Sequence, residues 1–159
     1  MALVMHDDVH GCIRANSGAN AGHTVIAKVN GEDKEFKFHI MPSSILSGKL
    51  SIIGDQVVMD PVSFLEEEVQ PVLDDGFSLD NLKIGNCDIV CPWHKIADLA
   101  GDPNASTGQG MRQVHSAKAL KLQVRLDDIL NNIDEIKSGT YKRMINSYNE
   151  FIKPLLERF

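Results

Sequence analysis

The apolar residues of this chain arrive in short runs, and that limits the fold more than any other feature. Residues 50–53, 56–59 and 87–91 are brief apolar stretches, too short for helices, and read as buried strands. A helical pattern separates the second from the third. Asp60 reads as its N-cap, with Pro61 at the first helical position. Val62, Leu65, Val69 and Val72/Leu73 form the predicted apolar stripe, and Glu66, Glu67 and Glu68 the solvated face near the positive end of the helix dipole. Pro71 is expected to end or kink this helix. Residues 92–100 read as a further helix. A short strand is expected over residues 9–13. Near the start, 24–29 and 34–40 alternate as strands around Asn30-Gly31-Glu32-Asp33, a hairpin signal. Strands alternating with helices predict an α/β fold: a mainly parallel central sheet, one antiparallel hairpin and C-terminal helices.

The C-terminal third is predicted to be helical. Leu126, Ile129, Leu130, Ile133 and Ile136 form one stripe. After Gly139, Tyr141, Met144, Ile145, Tyr148, Ile152 and Leu155 form another. No internal repeat or proline/serine linker divides the chain, so its 159 residues are read as a single domain, residues 1–159. A chain of this length buries roughly 70% of its unfolded surface and needs no staples. No run approaches the ~18 apolar residues of a membrane span, and the acidic start does not resemble a signal peptide. A net charge of −6 argues against a general nucleic-acid binder, though not against a small phosphate pocket. Cys12, Cys87 and Cys91 lack metal-site spacing, so the default setting is reduced and cytoplasmic.

Two loops could carry chemistry. Ser17-Gly18-Ala19-Asn20-Ala21-Gly22-His23-Thr24 sets glycines, an amide, an imidazole and a hydroxyl just before a strand. Glycines let backbone N–H groups approach an anion, and His23 can exchange a proton near neutral pH. A tight turn with a surface histidine would look the same. Ser106-Thr107-Gly108-Gln109-Gly110, followed by Arg112, Lys118, Lys121 and Arg125, suits a phosphate. From the residues alone, a flexible loop followed by a solvated helix face is the more common source of such a run. Neither loop is a Walker A motif.

Several of these segments, in order along residues 14–130, resemble adenylosuccinate synthetase. Arg14 and Gly18-Ala19-Asn20-Ala21-Gly22-His23-Thr24 resemble the family's arginine and G-x-N-A-G-H-T. Phe38-His39-Ile40-Met41-Pro42-Ser43 resembles H-L-x-P-S-G-I-L. Residues 53–61 resemble I-G-x-G-V-V-x-D-P. Cys91-Pro92-Trp93-His94-Lys95 through Asp98 resembles P-Y-H-x-x-x-D. Ser106-Thr107-Gly108-Gln109-Gly110-Met111 resembles T-T-G-R-G-I. The compact spacing resembles the shorter archaeal and phage forms.

The resemblance implies a partial fold of the adenylosuccinate synthetase, P-loop NTPase-like type. It also implies a reaction: aspartate joined to C6 of IMP, with GTP phosphorylating O6 and magnesium as cofactor. His23 would be the catalytic acid. Asn20, Ala21, Gly22, His23, Thr107 and Lys121 would bind IMP, with Lys121 reaching a phosphate across a homodimer interface. Gly22, His23 and Thr24 would face GTP, and the Gly22 carbonyl would ligate Mg2+. The alternative substrates are those of phage forms, dGMP and ATP with aspartate. Ser44, Gln56, Gln109 and Met111-Arg112-Gln113 depart from the family pattern. A G-D-E-G-K-G loop, which carries the aspartate base, is expected about twenty residues before Arg14 and is not in these 159 residues. The chain is therefore expected to be part of a ligase, without synthetase activity by itself. The competing readings are a nucleotide-binding remnant and a bare structural domain.

Overall fold

The computed structural model describes residues 7–100 and 107–131. The chain divides into two compact units, Met1–Cys87 and Asp88–Phe159. The second stripe of the predicted C-terminal helices, the start of the 101–110 loop and the first six residues lie outside the described residues.

The first unit is built on a parallel sheet. β1 (Gly11–Ser17) and β5 (Leu82–Ile84) flank β4 (Leu50–Met59), and both pair with it in parallel. The two predicted strands at 50–53 and 56–59 are one strand. Between Arg14/Ile53 and Asn16/Gln56, β1 advances two residues and β4 three, so β4 carries a bulge at Gly54-Asp55. That bulge is what interrupted the apolar pattern. Ile53, Val57, Val58 and Met59 are buried. Toward the N-terminal end of the pair one face stays open, with Ile13 62% and Leu50 42% exposed. β5 was not anticipated: in Leu82-Lys83-Ile84 the middle and last residues are exposed, so it lacks a buried-strand signature.

A hairpin forms the second sheet of this unit. β2 (His23–Val29) pairs with β3 (Glu32–Phe38) in unbroken antiparallel register. The turn is tighter than predicted. Asn30 (φ 52°) and Gly31 (φ 88°) alone make it, both left-handed as a type I′ turn requires. Glu32 and Asp33 belong to β3, where Asp33 pairs with Lys28 at 2.7 Å. Val25, Phe36 and Phe38 are buried, and Phe36 meets Phe77 edge to face at 5.6 Å.

After β4 the backbone turns helical as α1 (Pro61–Ser63). Asp60 caps it, accepting from the Val62 N–H at 3.1 Å, the Ser63 N–H at 3.4 Å and the Ser63 hydroxyl at 3.1 Å. The chain then widens into a π-helical turn over Phe64–Val69 and tightens again into α2 (Gln70–Asp74). Pro71 does not end the helix. The wide turn lies immediately before it, where a proline ring in an α-helix would meet the carbonyl four residues back. The π turn also rotates the faces. Phe64, Glu68, Val69 and Val72 are buried, whereas Val62, Leu65 and Leu73 are largely exposed. Glu68 is therefore not part of the solvated face, as the helical period had predicted.

In the second unit the predicted strand at 87–91 shrinks to β6 (Asp88–Ile89), whose Ile89 N–H donates to the Val124 carbonyl at 2.8 Å. α3 (Pro92–Leu99), α4 (Met111–Ala119) and α5 (Leu126–Asn131) follow. α4 ends in a Schellman motif: the Leu122 N–H donates to the Ala117 carbonyl, the Lys121 N–H to the Lys118 carbonyl, and Lys121 adopts φ 57°. The three cysteines are free thiols. No helix among the described residues is long and apolar enough to cross a membrane.

Asp60→Ala removes the α1 cap and is expected to cost about 1 kcal/mol, read as a lower urea midpoint at unchanged m-value.

Candidate functional site

The first loop folds around a histidine. β1 ends at Ser17, which takes φ 75° and donates its hydroxyl to Asn20 Oδ1 at 3.3 Å. The chain then returns to open β2 at His23. Strand alternation puts His23 and Val25 on the inner face of the hairpin. His23 pairs in register with Phe38, and the two rings meet edge to face at 5.9 Å. Its Nε2 lies 2.9 Å from the Ser43 hydroxyl, at the start of a short 3-10 turn (Ser43–Ser47). Arg14 reaches the Ala21 carbonyl at 3.4 Å. His39 packs against Gly22: a Cβ there would sit 3.0 Å from His39 Nδ1 and 3.1 Å from the Phe38 carbonyl. A side chain at this position would require the His39 ring or the strand to give by a few tenths of an ångström.

These neighbours set the charge of the histidine. Burial, then the Arg14 guanidinium and His39, hold the His23 pKa below the ordinary imidazole range. The ring is therefore neutral at physiological pH. A neutral ring has one N–H to give. Nε2 either gives it to the Ser43 hydroxyl or accepts from that hydroxyl and keeps the N–H on Nδ1, according to the tautomer.

The sequence reading named Asn20, Ala21, Gly22, His23 and Thr24, and the structure brings the first four together beside Arg14. Thr24 alternates to the opposite face of β2 and is exposed. Sequence reasoning gave no role to Ser43 or His39, although both stand in the quoted Phe38–Ser43 motif. It placed Glu68 in solvent, whereas its carboxylate accepts from the His39, Ile40 and Met41 N–H groups at 2.9, 3.1 and 2.8 Å.

The end of the second loop, and the bases after it, meet buried acids. Asp98, 2% exposed, accepts from the Gly110 N–H at 3.0 Å and faces Arg112 at 3.5 Å. Gly110 takes φ 73° to start α4, and a Cβ there would lie 3.0 Å from the His94 backbone carbonyl carbon. Asp88, 1% exposed, lies 2.7 Å from Lys118 Nζ and 3.8 Å from Arg125 Nε. Three of the four bases proposed for a phosphate thus face buried carboxylates. Lys121 is exposed, and so is Thr107. His94 Nδ1 accepts from the Cys91 N–H at 3.0 Å, and burial lowers its pKa to about 4.

Among the described residues no three His, Cys, Asp or Glu side chains converge on a metal position. The Gly22 carbonyl would be one oxygen for a hard cation, which needs about six. The described residues do not by themselves make a magnesium site, and no step below runs through one.

Comparison with known proteins places this chain in a class of synthetases. A family model described as adenylosuccinate synthetase matches residues 3–158. Over 145 residues the chain is 45% identical to adenylosuccinate synthetase of Leishmania donovani, covering 89% of this chain and 20% of that protein. Over 155 residues it is 40% identical to adenylosuccinate synthetase 2 of Trypanosoma cruzi, covering 96% of this chain and 24% of that protein. The Trypanosoma brucei brucei enzyme of the same name is 35% identical over 150 residues, 92% of this chain and 24% of its own. The chain belongs to the adenylosuccinate synthetase family. It spans between a fifth and a quarter of the length of these relatives, and its parallel sheet, hairpin and helices form a partial fold of that type. None of these relatives supports the phage-type dGMP alternative.

Two titrations test the electrostatics. Arg14→Gln is expected to raise the His23 pKa, followed by the ring signals in NMR; an unchanged value would remove Arg14 from the causes and leave burial and His39. For His94, the unfolded ring binds a proton below 6.5, whereas the folded ring binds it only below about 4. Stability therefore falls as pH drops through that window, by up to about 3 kcal/mol. In His94→Gln, urea unfolding between pH 7 and 4.5 is expected to show a flatter dependence.

Proposed function

We propose that this chain carries the purine-nucleotide part of an adenylosuccinate synthetase, the ligase that joins aspartate to C6 of IMP with GTP in AMP synthesis. The observation that carries the reading is the arrangement at Gly22-His23 in a chain of this family: an exposed glycine corner beside a neutral histidine whose Nε2 meets Ser43 at 2.9 Å. A neutral imidazole has one N–H to give. Here it would donate a hydrogen bond to the oxygens where charge builds as the phosphoryl group moves to O6. O6 is a poor leaving group until it is phosphorylated, so the remaining task is positioning.

Asn20, Ala21 and Gly22 would line the base and phosphoryl side. Thr107 and Lys121 would hold the 5′-phosphate of IMP, the lysine as a point charge from a neighbouring copy in a homodimer. Gly22, His23 and Thr24 would meet GTP, Thr24 through its backbone, since its side chain faces away. Magnesium would use the Gly22 carbonyl, with its remaining oxygens from phosphates or from residues beyond those described. A cytoplasmic homodimer belongs to the same reading.

Calorimetric titration of the 159-residue protein with IMP tests the assignment. Binding is expected, with at least a tenfold loss in His23→Ala and in Thr107→Ala, about 1.4 kcal/mol each. Equal affinity in all three proteins would remove both residues from the site. With IMP, aspartate and GTP the same protein is expected to form no adenylosuccinate, because its residues contain no G-D-E-G-K-G loop. Product formation would overturn that expectation.

A further inference from the structure

Glu68 is one of three consecutive glutamates, yet it alone of the three is buried, at 3% exposure. The π turn over Phe64–Val69 brings it inward. Its carboxylate faces only donors: the His39 N–H at 2.9 Å, the Ile40 N–H at 3.1 Å and the Met41 N–H at 2.8 Å. Three consecutive amides converging on one acidic group fix the backbone where β3 ends. Burial alone would favour an apolar side chain at this position, so the carboxylate is explained by what it holds.

The segment it holds supplies both contacts to the histidine loop. His39 sets its ring against Gly22, where an added Cβ would lie 3.0 Å from its Nδ1. Ser43, two residues beyond Met41, sets its hydroxyl on His23 Nε2. No contact from Glu68 itself to Gly22 or His23 is needed. We infer that Glu68 is a positioning residue: by gathering the 39–41 amides it sets where the His39 ring and the Ser43 hydroxyl stand, and through them the orientation of His23 and the Gly22 corner. The functional weight of this inference rests on His23 being part of the IMP site, but the positioning itself can be read without any ligand.

The test is NMR of the 159-residue protein with labelled histidine and backbone nitrogen. Glu68→Gln keeps the size of the side chain but removes the charge and replaces one acceptor oxygen by an NH2, which finds no acceptor among the 39–41 amides. Glu68→Asp keeps the charge and falls one methylene short. In both, the His39, Ile40 and Met41 amide signals are expected to move together with the His23 ring nitrogens, whereas amides of the β1–β4 ladder stay in place. Movement of the 39–41 amides with His23 unchanged would overturn the proposal. Should both variants fail to fold, Ser43→Ala and His39→Ala probe the downstream contacts. Each is expected to shift the His23 ring signals, with the Ile40 and Met41 amides in place in Ser43→Ala and the Met41 amide in place in His39→Ala. If neither moves His23, the relay does not exist and the proposal falls. Calorimetry with IMP separates this from the functional reading. A wild type that binds no IMP sinks the substrate assignment while the ring signals still decide the positioning. An affinity lowered about tenfold in Glu68→Gln supports both.

Discussion

β4 is the constraint from which the first unit follows. It takes parallel partners on both sides over Ser51–Ile53, β1 continues the pairing to Val57, and its apolar run meets the core. Its C-terminal end leads straight into Asp60, so the helical segment starts where the strand stops. The β1 register on β4 then decides where Ser17 turns and where the 18–22 loop begins. Move that register by one residue and every side chain of β1 changes face, Arg14 among them.

Much of this was legible in the chain. The hairpin announced itself through Asn30-Gly31 and the alternation of Phe36 and Phe38. Asp60-Pro61 named the helix start. The failures have physical causes. A bulge at Gly54-Asp55 reads as a gap, because pattern counting has no symbol for one extra residue inside a continuous ladder. β5 is three residues long and mostly exposed, so it borrows its strand character from β4 rather than from its own side chains. The face of the helical segment was misassigned because period 3.6 was applied through a π turn, and Glu68 changed sides as a result.

The candidate site shows the same division. Gly22 and His23 stood out from local composition. Ser43, His39 and Glu68 did not, because each acts through a contact formed 17 to 29 residues away along the chain. The second loop teaches the opposite lesson. A run of bases after a glycine loop invites a phosphate, yet Asp98 and Asp88 lie on those bases from within the fold. Buried acids are invisible to a count of surface charge, and they change what a basic helix has left to offer a ligand.

The crowding at Gly22 carries one more consequence. A side chain at 22 meets a movable imidazole first and a fixed backbone carbonyl a tenth of an ångström later. Shrinking His39 would relieve only the side-chain part of that contact, and the Phe38 carbonyl would still crowd the added carbon. Positions 22 and 39 are thus coupled: the size tolerated at one depends on how far the other can give way. In a randomised library of this loop, larger residues at 22 should arrive together with smaller ones at 39.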